Sequence, residues 1–214
     1  MIYKKEIILI GAGGHAKVCI DNLHSAGQTV AFCVARDGAP DTCMGIPVLK
    51  GDHHLTELYS KGYRHIFVAI GNNALRWKLA AAAIDAGYRL VNAINPHAVI
   101  STSVRMGTGV AIMAGAIINA DTSIGDLCIV NTGATIDHDC CIDSGAHIAP
   151  QCVLAGNVVV GERTFLGVGC KVIPEIHIGS DCTIGAGSLL ICNVRSGSKW
   201  YGVPAKEAGA RGQI

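Results

Sequence analysis

An aliphatic residue occupies every sixth position between residues 100 and 190, without exception at sixteen positions. An amphipathic helix repeats every 3.6 residues and a strand every two, so neither produces a strict period of six over such a length. A short repeat of this kind is typical of a parallel β-helix, in which each six-residue unit forms one side of a triangular coil. The repeated positions are Ile100, Met106, Ile112, Ile118, Ile124, Val130, Ile136, Ile142, Ile148, Leu154, Val160, Leu166, Val172, Ile178, Ile184 and Leu190.

A second column, two residues before each aliphatic position, holds mostly small side chains. Residues two apart in a strand share a face, so the large and the small side chain both point inward. Gly107, Gly125, Gly161 and Gly179 recur every eighteen residues, with Asp143 in the missing place, which indicates three sides per coil. We therefore predict about five coils over residues 98–190, about 24 Å tall at a strand spacing of about 4.8 Å.

The composition narrows the class of protein. Lys and Arg number 17 and Asp and Glu 16, a balance that does not favour nucleic-acid binding. The mean hydropathy is high at +0.40, yet no apolar run approaches the roughly 18 residues of a membrane span. The N-terminus lacks the pattern of a signal peptide, so we predict a cytoplasmic protein.

The ten cysteines are predicted to be reduced thiols, although their number also invites a disulfide or zinc interpretation. No pair has the CxxC spacing, and a cytosolic compartment keeps thiols reduced. Half of them fall in the small inward column, where cysteine acts as a compact apolar filler. These are Cys128, Cys140, Cys152, Cys170 and Cys182.

Several apolar residues of the repeat are predicted to point outward, among them Ile129, Val153 and Val159. An apolar outer face indicates that something covers it, and self-association is the natural explanation.

Residues 1–95 have a different pattern, in which apolar runs alternate with amphipathic stretches closed by glycine. We predict strands at 6–10, 29–34, 65–70 and 89–94, with helices at 16–26, 52–60 and 74–86. Such alternation predicts a small parallel, Rossmann-like α/β domain. Asn95-Pro96-His97 marks the boundary, which gives an α/β domain at 1–95 and an all-β helix domain at 96–214.

A glycine-rich loop, Gly11-Ala12-Gly13-Gly14-His15-Ala16, follows the first predicted strand and precedes a helix. Glycines there allow a tight turn, and the helix N-terminus attracts phosphate. We predict that Gly13, Gly14 and His15 contact a nucleotide diphosphate. A dinucleotide site is an alternative, but the domain is small for one, and a ligand-free turn is another.

These features together resemble the bacterial nucleotide-sugar acetyltransferases of the left-handed β-helix superfamily. The greatest similarity is to the UDP-4-amino-sugar N-acetyltransferases of bacillosamine synthesis, followed by the sialic acid O-acetyltransferases. The segments that carry the resemblance are 11–15, 69–76, 95–97, 131–139, 147–150, 155–157 and 202–206.

The resemblance implies hexads that coil left-handed, against the usual crossover rule, and a homotrimer that holds acetyl-CoA between neighbouring prisms. It implies acetyl transfer from acetyl-CoA to the amino group of a nucleotide-linked sugar of the 4-amino-4,6-dideoxy type. An O-acetyltransferase acting on sialic acid or its nucleotide form is the alternative activity.

The resemblance also implies contacts to the sugar nucleotide, with one departure. The acidic pair that the bacillosamine-type enzymes carry after the second strand is replaced by Val34 and Ala35, with only Asp37 nearby. Uridine recognition is therefore in doubt, while thymidine and guanosine carriers remain open. Asn72 and Arg76 are further predicted substrate contacts, and a helix-surface charge is the alternative for Arg76.

His138 is the predicted general base. Acetyl transfer to an amine needs a base near neutral pKa, and a carboxylate beside an imidazole orients it and stabilises its charged form. The resemblance points to Asp139 as the partner, while Asp137 or Asn131 are alternative orienting groups. A solvated corner histidine is the alternative without catalysis. No metal is predicted, since sequence neighbours do not readily converge on one ion.

The cofactor contacts are predicted on both sides of this base. Gly156 is eighteen residues after His138 and so stacks on it, where its N–H can bond the thioester oxygen. The resemblance gives His147 to the acetyl carbonyl or the pantetheine arm. Because nine residues, half a coil, separate His147 from His138, we infer that His138 works with His147 of a neighbouring chain. Further predicted cofactor contacts are Val168, Ala186 and Lys206, the last one toward a CoA phosphate.

Two alternatives lie outside this chemistry. An acyl-carrying thiol at Cys141 or Cys192 lacks the activating neighbour that such a nucleophile requires, so direct attack by the substrate amine is preferred. The second alternative is a non-enzymatic β-helix scaffold or a carbonic-anhydrase-like relative. The carbonic-anhydrase-like relative needs three histidines at metal-binding spacing, which the sequence does not supply.

Overall fold

The computed structural model describes residues 4–209. The chain divides into two compact units, Met1–Pro96 and His97–Ile214. Within the described residues, no helix is both long and apolar enough to cross a membrane.

The first unit is a parallel sheet with three helices. Strand β1 is central, because its apolar residues are buried on both faces, and the strand order is β3-β4-β2-β1-β5-β6. All pairings are parallel except the β3–β4 hairpin, which turns through Met44 and Gly45 at positive φ. The elements are β1 (Lys4–Ile10), α1 (Gly14–Ser25), β2 (Val30–Ala35), β3 (Thr42–Cys43), β4 (Ile46–Lys50), α2 (His53–Ser60), β5 (Tyr63–Val68), α3 (Asn73–Asp85), β6 (Arg89–Leu90) and β7 (Ala93–Ile94).

The carboxyl ends of β1, β2 and β5 lie at one edge of this sheet. Strand β1 pairs with β2 on one side and with β5 on the other, so successive strands are added first to one side of β1 and then to the other. The strand order therefore reverses at the position between β1 and β5 in the sheet. Open α/β sheets bind ligands at such a switch point. The loops that meet there are 11–13, 36–38 and 69–72.

The second unit is a left-handed β-helix with three faces, formed by sixteen two-residue strands, β8 to β23. The first face contains Val99–Ile100, Ile117–Ile118, Thr135–Ile136, Val153–Leu154, Lys171–Val172 and Leu189–Leu190. The second face contains Arg105–Met106, Ser123–Ile124, Cys141–Ile142, Val159–Val160 and His177–Ile178. The third face contains Ala111–Ile112, Ile129–Val130, His147–Ile148, Phe165–Leu166 and Thr183–Ile184.

Each predicted aliphatic position is the second residue of its strand, and all of them from Ile112 to Leu190 are buried. Strands eighteen residues apart pair in parallel, so every residue lies over its counterpart one coil earlier. We call the turns that follow the first, second and third faces the first, second and third corners. The hexad register predicted from the sequence is confirmed.

A third column, with left-handed backbone, lies at the corners. Every sixth residue from Gly109 to Gly187 has a positive φ, and eight of these fourteen residues are not glycine. Such residues rarely adopt this conformation, which the ladders of bonds between coils impose here. The non-glycine members are Asp121, Leu127, Asp139, Gln151, Asn157, Arg163, Glu175 and Asp181.

The glycines that recur every eighteen residues lie where the next coil passes closely. A Cβ at Gly107, Gly125, Gly161 or Gly179 would stand 2.5–2.8 Å from a backbone nitrogen of the following coil. Glycine is therefore a steric requirement at these second-corner positions.

The exposed apolar side chains of the solenoid strands lie on the first face, where Val99, Ile117 and Val153 are 63%, 37% and 42% exposed. The inclusion of Ile129 among outward residues that need a partner chain is wrong, because it is 1% exposed in the single chain. Val159, on the second face, is half-buried.

The chain closes the solenoid with a hairpin. Strand β24 (Lys199–Gly202) extends the third face and pairs antiparallel with β25 (Ala205–Glu207), after a cis Val203–Pro204 bond. The ring of Tyr201 packs over Gly185 and leaves no room for a side chain there.

All ten cysteines are free thiols, and the five of the inward column are buried. Four of these thiols also donate to a carbonyl of the next coil, as Cys128 does to Asp143 and Cys152 to Gly167, both at 3.1 Å.

Candidate functional site

His138 lies in a first corner, where its ring is held by the next residue. Asp139 Oδ2 is 2.7 Å from His138 Nδ1, and the two side chains are 54% and 52% exposed. This hydrogen bond is the main cause that raises the pKa of His138 above its usual value, with the charge of Asp137 as a further cause. A carboxylate on Nδ1 leaves the Nε2 lone pair of the neutral ring as the proton acceptor.

Asp137 holds the backbone of this corner rather than the imidazole. Its Oδ1 accepts the N–H of His138 at 2.8 Å and the amide of Asn119, one coil earlier, at 2.9 Å. The Asn119 bond, followed by the His138 N–H bond, lowers the pKa of Asp137. Asp137 thus remains charged beside the base.

Gly156 lies directly against the imidazole. A Cβ there would stand 2.6 Å from His138 Cε1 and 2.7 Å from Nε2, so only glycine leaves the ring its place. The stacking inferred from the eighteen-residue spacing is found. No residue between 4 and 209 accepts a hydrogen bond from the Gly156 N–H, which leaves this donor next to the base.

His147 lies on the third face, away from the corner of His138 in the same chain. It is 9% exposed, so the surface alternative is wrong, and it packs edge-on against Phe165 with ring centroids 5.2 Å apart. Its Nε2 is 3.1 Å from the side-chain nitrogen of Asn131. Asn131 therefore positions His147, and the alternative that it orients His138 is wrong.

Val168 and Ala186 stack in the third corner and are both exposed. Gly187 donates to the Val168 carbonyl at 2.8 Å, and a Cβ on the preceding Gly167 would lie 2.6 Å from the Ala186 nitrogen. Lys206 is exposed on β25 and pairs with Tyr201, whose ring packs over Gly185. These three predicted cofactor contacts thus belong to one end of the solenoid.

The glycine-rich loop forms an open helix N-terminus. Gly13 is the N-cap of α1 in an extended conformation, without a side-chain cap hydrogen bond, and nothing lies within 4 Å of a Cβ built at Gly13 or Gly14. Gly11, with φ +120°, approaches Ala69 across the switch point so closely that a Cβ would stand 2.8 Å from its carbonyl oxygen. The loop can therefore bring backbone N–H groups close to an anion.

His15 lies in the first turn of α1 as a neutral ring. Burial, followed by the nearby charge of Arg76, lowers its pKa to about 4. Its Nε2 is 3.5 Å from Cys19 Sγ, and burial raises the pKa of that thiol to about 12. His15 can thus offer a neutral hydrogen bond at this edge.

Arg76 is buried at 1% exposure, so the alternative of a helix-surface charge is wrong. Its guanidinium donates to the carbonyls of Ile70 and Gly71 at 2.9 and 3.2 Å, and to Asn73 at 2.8 Å. Asn72 caps α3 by accepting the Leu75 N–H at 2.9 Å. Both residues shape the loop after β5, and Asp37 is exposed after β2 at the same edge.

Sequence reasoning missed Asn119, which lies eighteen residues before Asp137 in the printed sequence. The eighteen-residue coil period, which identified Gly156, also identifies Asn119 when it is applied to the polar residues of the corners. Among the described residues, no three His, Cys, Asp or Glu side chains group as a metal site requires.

Comparison with known proteins gives the family. Residues 6–83 match the PglD N-terminal domain family, and residues 157–192 match the bacterial transferase hexapeptide (six repeats). PerB from Caulobacter crescentus, solved in complex with CoA and GDP-perosamine, is 50% identical over 95% of this chain and 97% of its own, with a TM-score of 0.93. The chain belongs to the nucleotide-sugar N-acetyltransferases of the hexapeptide superfamily.

Two further solved structures are similar to this N-acetyltransferase over nearly its whole length. The acetyltransferase domain of PglB from Neisseria gonorrhoeae, in complex with acetyl coenzyme A, is 35% identical over 96% of the chain and 100% of its own, with a TM-score of 0.89. WeeI from Acinetobacter baumannii is 22% identical over 95% of the chain and 99% of its own, with a TM-score of 0.83, and shares the fold. The family, enzyme class and fold predicted from the sequence are confirmed.

Proposed function

We propose that this enzyme transfers the acetyl group of acetyl-CoA to the amino group of a nucleotide-linked 4-amino-4,6-dideoxy sugar. The observation that carries the proposal is the corner in which the Asp139–His138 pair lies against Gly156. It places a base with an available Nε2 next to a backbone N–H donor that has no acceptor in the described chain.

In the proposed reaction the sugar amine attacks the thioester carbonyl, and His138 Nε2 accepts the amine proton. A C–N bond forms, the C–S bond breaks, and the imidazolium returns its proton to the departing CoA thiolate. The Gly156 N–H stabilises the negative charge that develops on the carbonyl oxygen. Asp139 stabilises the imidazolium formed in between.

The sugar nucleotide is assigned to the switch-point edge of the first unit. The uncapped N-terminus of α1 offers N–H groups to a diphosphate at Gly13 and Gly14, and neutral His15 offers a hydrogen bond. Asp37 and Asn72 remain proposed substrate contacts, and Arg76 acts there by shaping the loop after β5.

We propose guanosine diphosphate as the carrier. The chain lacks acidic residues at Val34 and Ala35, which left guanosine and thymidine open, and PerB, at 50% identity, was solved with GDP-perosamine.

We also propose that three chains assemble to complete the site. The first face, with its exposed Val99, Ile117 and Val153, lies between the corner of His138 and the corner of Val168 and Ala186. A neighbour that covers this face brings its own residues to the corner of His138, and His147, which Asn131 holds on the third face, is proposed to come from that neighbour.

The test is acetyl transfer measured with GDP-, dTDP- and UDP-linked amino sugars and with sialic acid, as release of CoA thiol. We expect turnover with the GDP-linked amino sugar and loss of about 10²- to 10⁴-fold in kcat for His138→Ala. Acetylation of sialic acid in place of the amino sugars, or wild-type kcat in His138→Ala, would contradict the proposal.

A further inference from the structure

The turn at the corner of His138 lacks the direct backbone hydrogen bond that closes several other corners. In eight other corners the N–H of the fourth residue donates directly to the carbonyl of the first, at 3.0–3.3 Å, as Ala134 does to Asn131 and Ala146 to Asp143. In the turn Asp137–Cys140 this direct bond is not among those formed within residues 4–209.

The hydroxyl of Thr122 stands in place of that bond. Thr122 is fully buried inside the prism, one coil before Cys140. Its Oγ1 donates to the carbonyl of Asp137 at 2.8 Å and accepts the N–H of Cys140 at 3.2 Å. The two backbone groups that flank His138 and Asp139 are thus bridged through a side chain and held apart.

The directly closed turns share the kind of residue that lies eighteen positions before their fourth residue, although a Cys there is not sufficient, since the turn 155–158 lies over Cys140 without a direct bond within residues 4–209. For seven of the eight directly closed turns this residue lies in the solenoid, and it is Ala or Cys in every case. These residues are Ala98, Ala116, Cys128, Ala134, Ala146, Cys152 and Cys170. A thiol can donate to the carbonyl, as Cys128 does, but it is a weaker acceptor for the N–H than a hydroxyl.

A second threonine bridge, within residues 4–209, provides a control. Thr164 donates to the Gly179 carbonyl at 2.7 Å and accepts the Cys182 N–H at 3.0 Å, in a second corner. That turn carries none of the residues assigned to substrate, cofactor or proton transfer.

All four N–H groups of the His138 turn then have acceptors. Asp137 donates to the Leu154 carbonyl, His138 to the Asp137 carboxylate, Asp139 to the Ala120 carbonyl and Cys140 to Thr122. The inner hydroxyl of Thr122 takes both the Asp137 carbonyl and the Cys140 N–H, in place of a direct bond between the two.

We propose that Thr122 is a positioning residue for the His138–Asp139 pair, because its hydroxyl stands inside the turn Asp137–Cys140 and keeps it open. The proposal rests on the function assigned above to His138. Replacement of Thr122 by Ala lets the Cys140 N–H donate directly to the Asp137 carbonyl. The turn Asn131–Ala134, which lies over Ala116, is closed in this way. In the variant, His138 and Asp139 then shift relative to Gly156.

The test compares Thr122→Ala, Thr122→Ser and Thr164→Ala in the full chain. We expect kcat to fall about tenfold or more in Thr122→Ala, since small misplacements of a reacting group are costly, while both KM values stay near wild type. Thr122→Ser keeps the hydroxyl and restores most of kcat. Thr164→Ala loses a matched bridge, so its Tm falls by a similar amount but its kcat is that of the wild type.

Equal kcat values for Thr122→Ala and Thr164→Ala would overturn the proposal. Should Thr122→Ala not fold, Thr122→Cys provides the same comparison, because it keeps a similar volume and the donor but has a weaker acceptor. Wild-type kcat in Thr122→Cys would also overturn it. His138→Ala is measured in parallel: if that variant is inactive while Thr122→Ala is fully active, this inference alone fails, and if it is active, the proposed function fails.

Discussion

At the scale of single residues, the solenoid uses the coil period to surround one histidine. His138 is bonded by Asp139 beside it and packs against Gly156 one coil later, while Thr122 and Asn119 hold its turn from one coil earlier. An imidazole that is half exposed thereby acquires a fixed orientation. Because the side chain is already oriented, substrate binding does not have to meet the entropy cost of ordering it.

The pH dependence of kcat/KM should report this arrangement. The proposed base acts as the neutral ring, so activity is lost as the pH falls through the pKa of His138, which the Asp139 hydrogen bond raises. In Asp139→Asn we expect the acid limb to move to lower pH, with a lower kcat.

A pH–rate profile of wild type and variant measures both effects. Asp143→Asn is a suitable control, because Asp143 begins a different corner. An acid limb in Asp139→Asn that coincides with that of the wild type would be inconsistent with Asp139 as the partner of His138.

At the scale of elements, the N-terminal sheet places two glycines with opposite requirements on one loop. Gly11 has φ +120° and touches Ala69, whereas Gly14 begins α1 with open space around it. Backbone strain therefore applies at the first position alone, and space for a ligand at the second.

Replacing each glycine by alanine separates these roles. We expect Gly11→Ala to lower the free energy of unfolding by about 1–3 kcal/mol. Gly14→Ala should leave it unchanged or raise it by about 0.4–1 kcal/mol, since alanine suits a helix. Its methyl group nevertheless stands in the proposed phosphate site, so KM for the sugar nucleotide should rise about tenfold. Thermal melts and steady-state kinetics measure both; an unchanged KM in Gly14→Ala would count against the site.

The sequence predicted the elements that depend on periodicity and missed those that depend on contacts. The hexads specify every solenoid strand because inward packing is repeated sixteen times. The β3–β4 hairpin was not predicted, because two residues of strand give no period to detect. The left-handed column was missed as well, because Leu127 or Gln151 gives no hint of a positive φ that inter-coil bonds impose.

In the candidate site, too, the sequence predicted the residues that spacing identifies and missed the contacts between side chains. His138, Asp139 and Gly156 were found from their spacing and resemblance. Burial of Arg76, the Asn131–His147 contact and the hydroxyl of Thr122 inside a turn depend on side-chain directions in three dimensions. Periodicity alone does not specify these.

At the scale of the whole molecule, one face of the solenoid is suited to association. The first face exposes apolar side chains, whereas the outward residues of the second face include Arg105, Ser123 and His177. Burial of the first face against another chain removes apolar surface from water.

A charge on each face tests this assignment. Val153→Glu should convert the proposed trimer to smaller species and reduce activity, because it buries a carboxylate in the contact. Val159→Glu, the same change on the second face, should leave the assembly intact. Light scattering coupled to size-exclusion chromatography measures the mass; a trimeric Val153→Glu would remove the first face as the contact.

The eighteen-residue coil also restricts how such a chain can change in length. Insertion of one hexad between His138 and Gly156 would rotate everything after it by one third of a turn. Gly156 would then leave the imidazole, and the C-terminal hairpin would face another direction. Insertions and deletions that keep the site intact therefore consist of whole coils, or of loops that project from a corner. Homologues of different height should accordingly differ by multiples of eighteen residues.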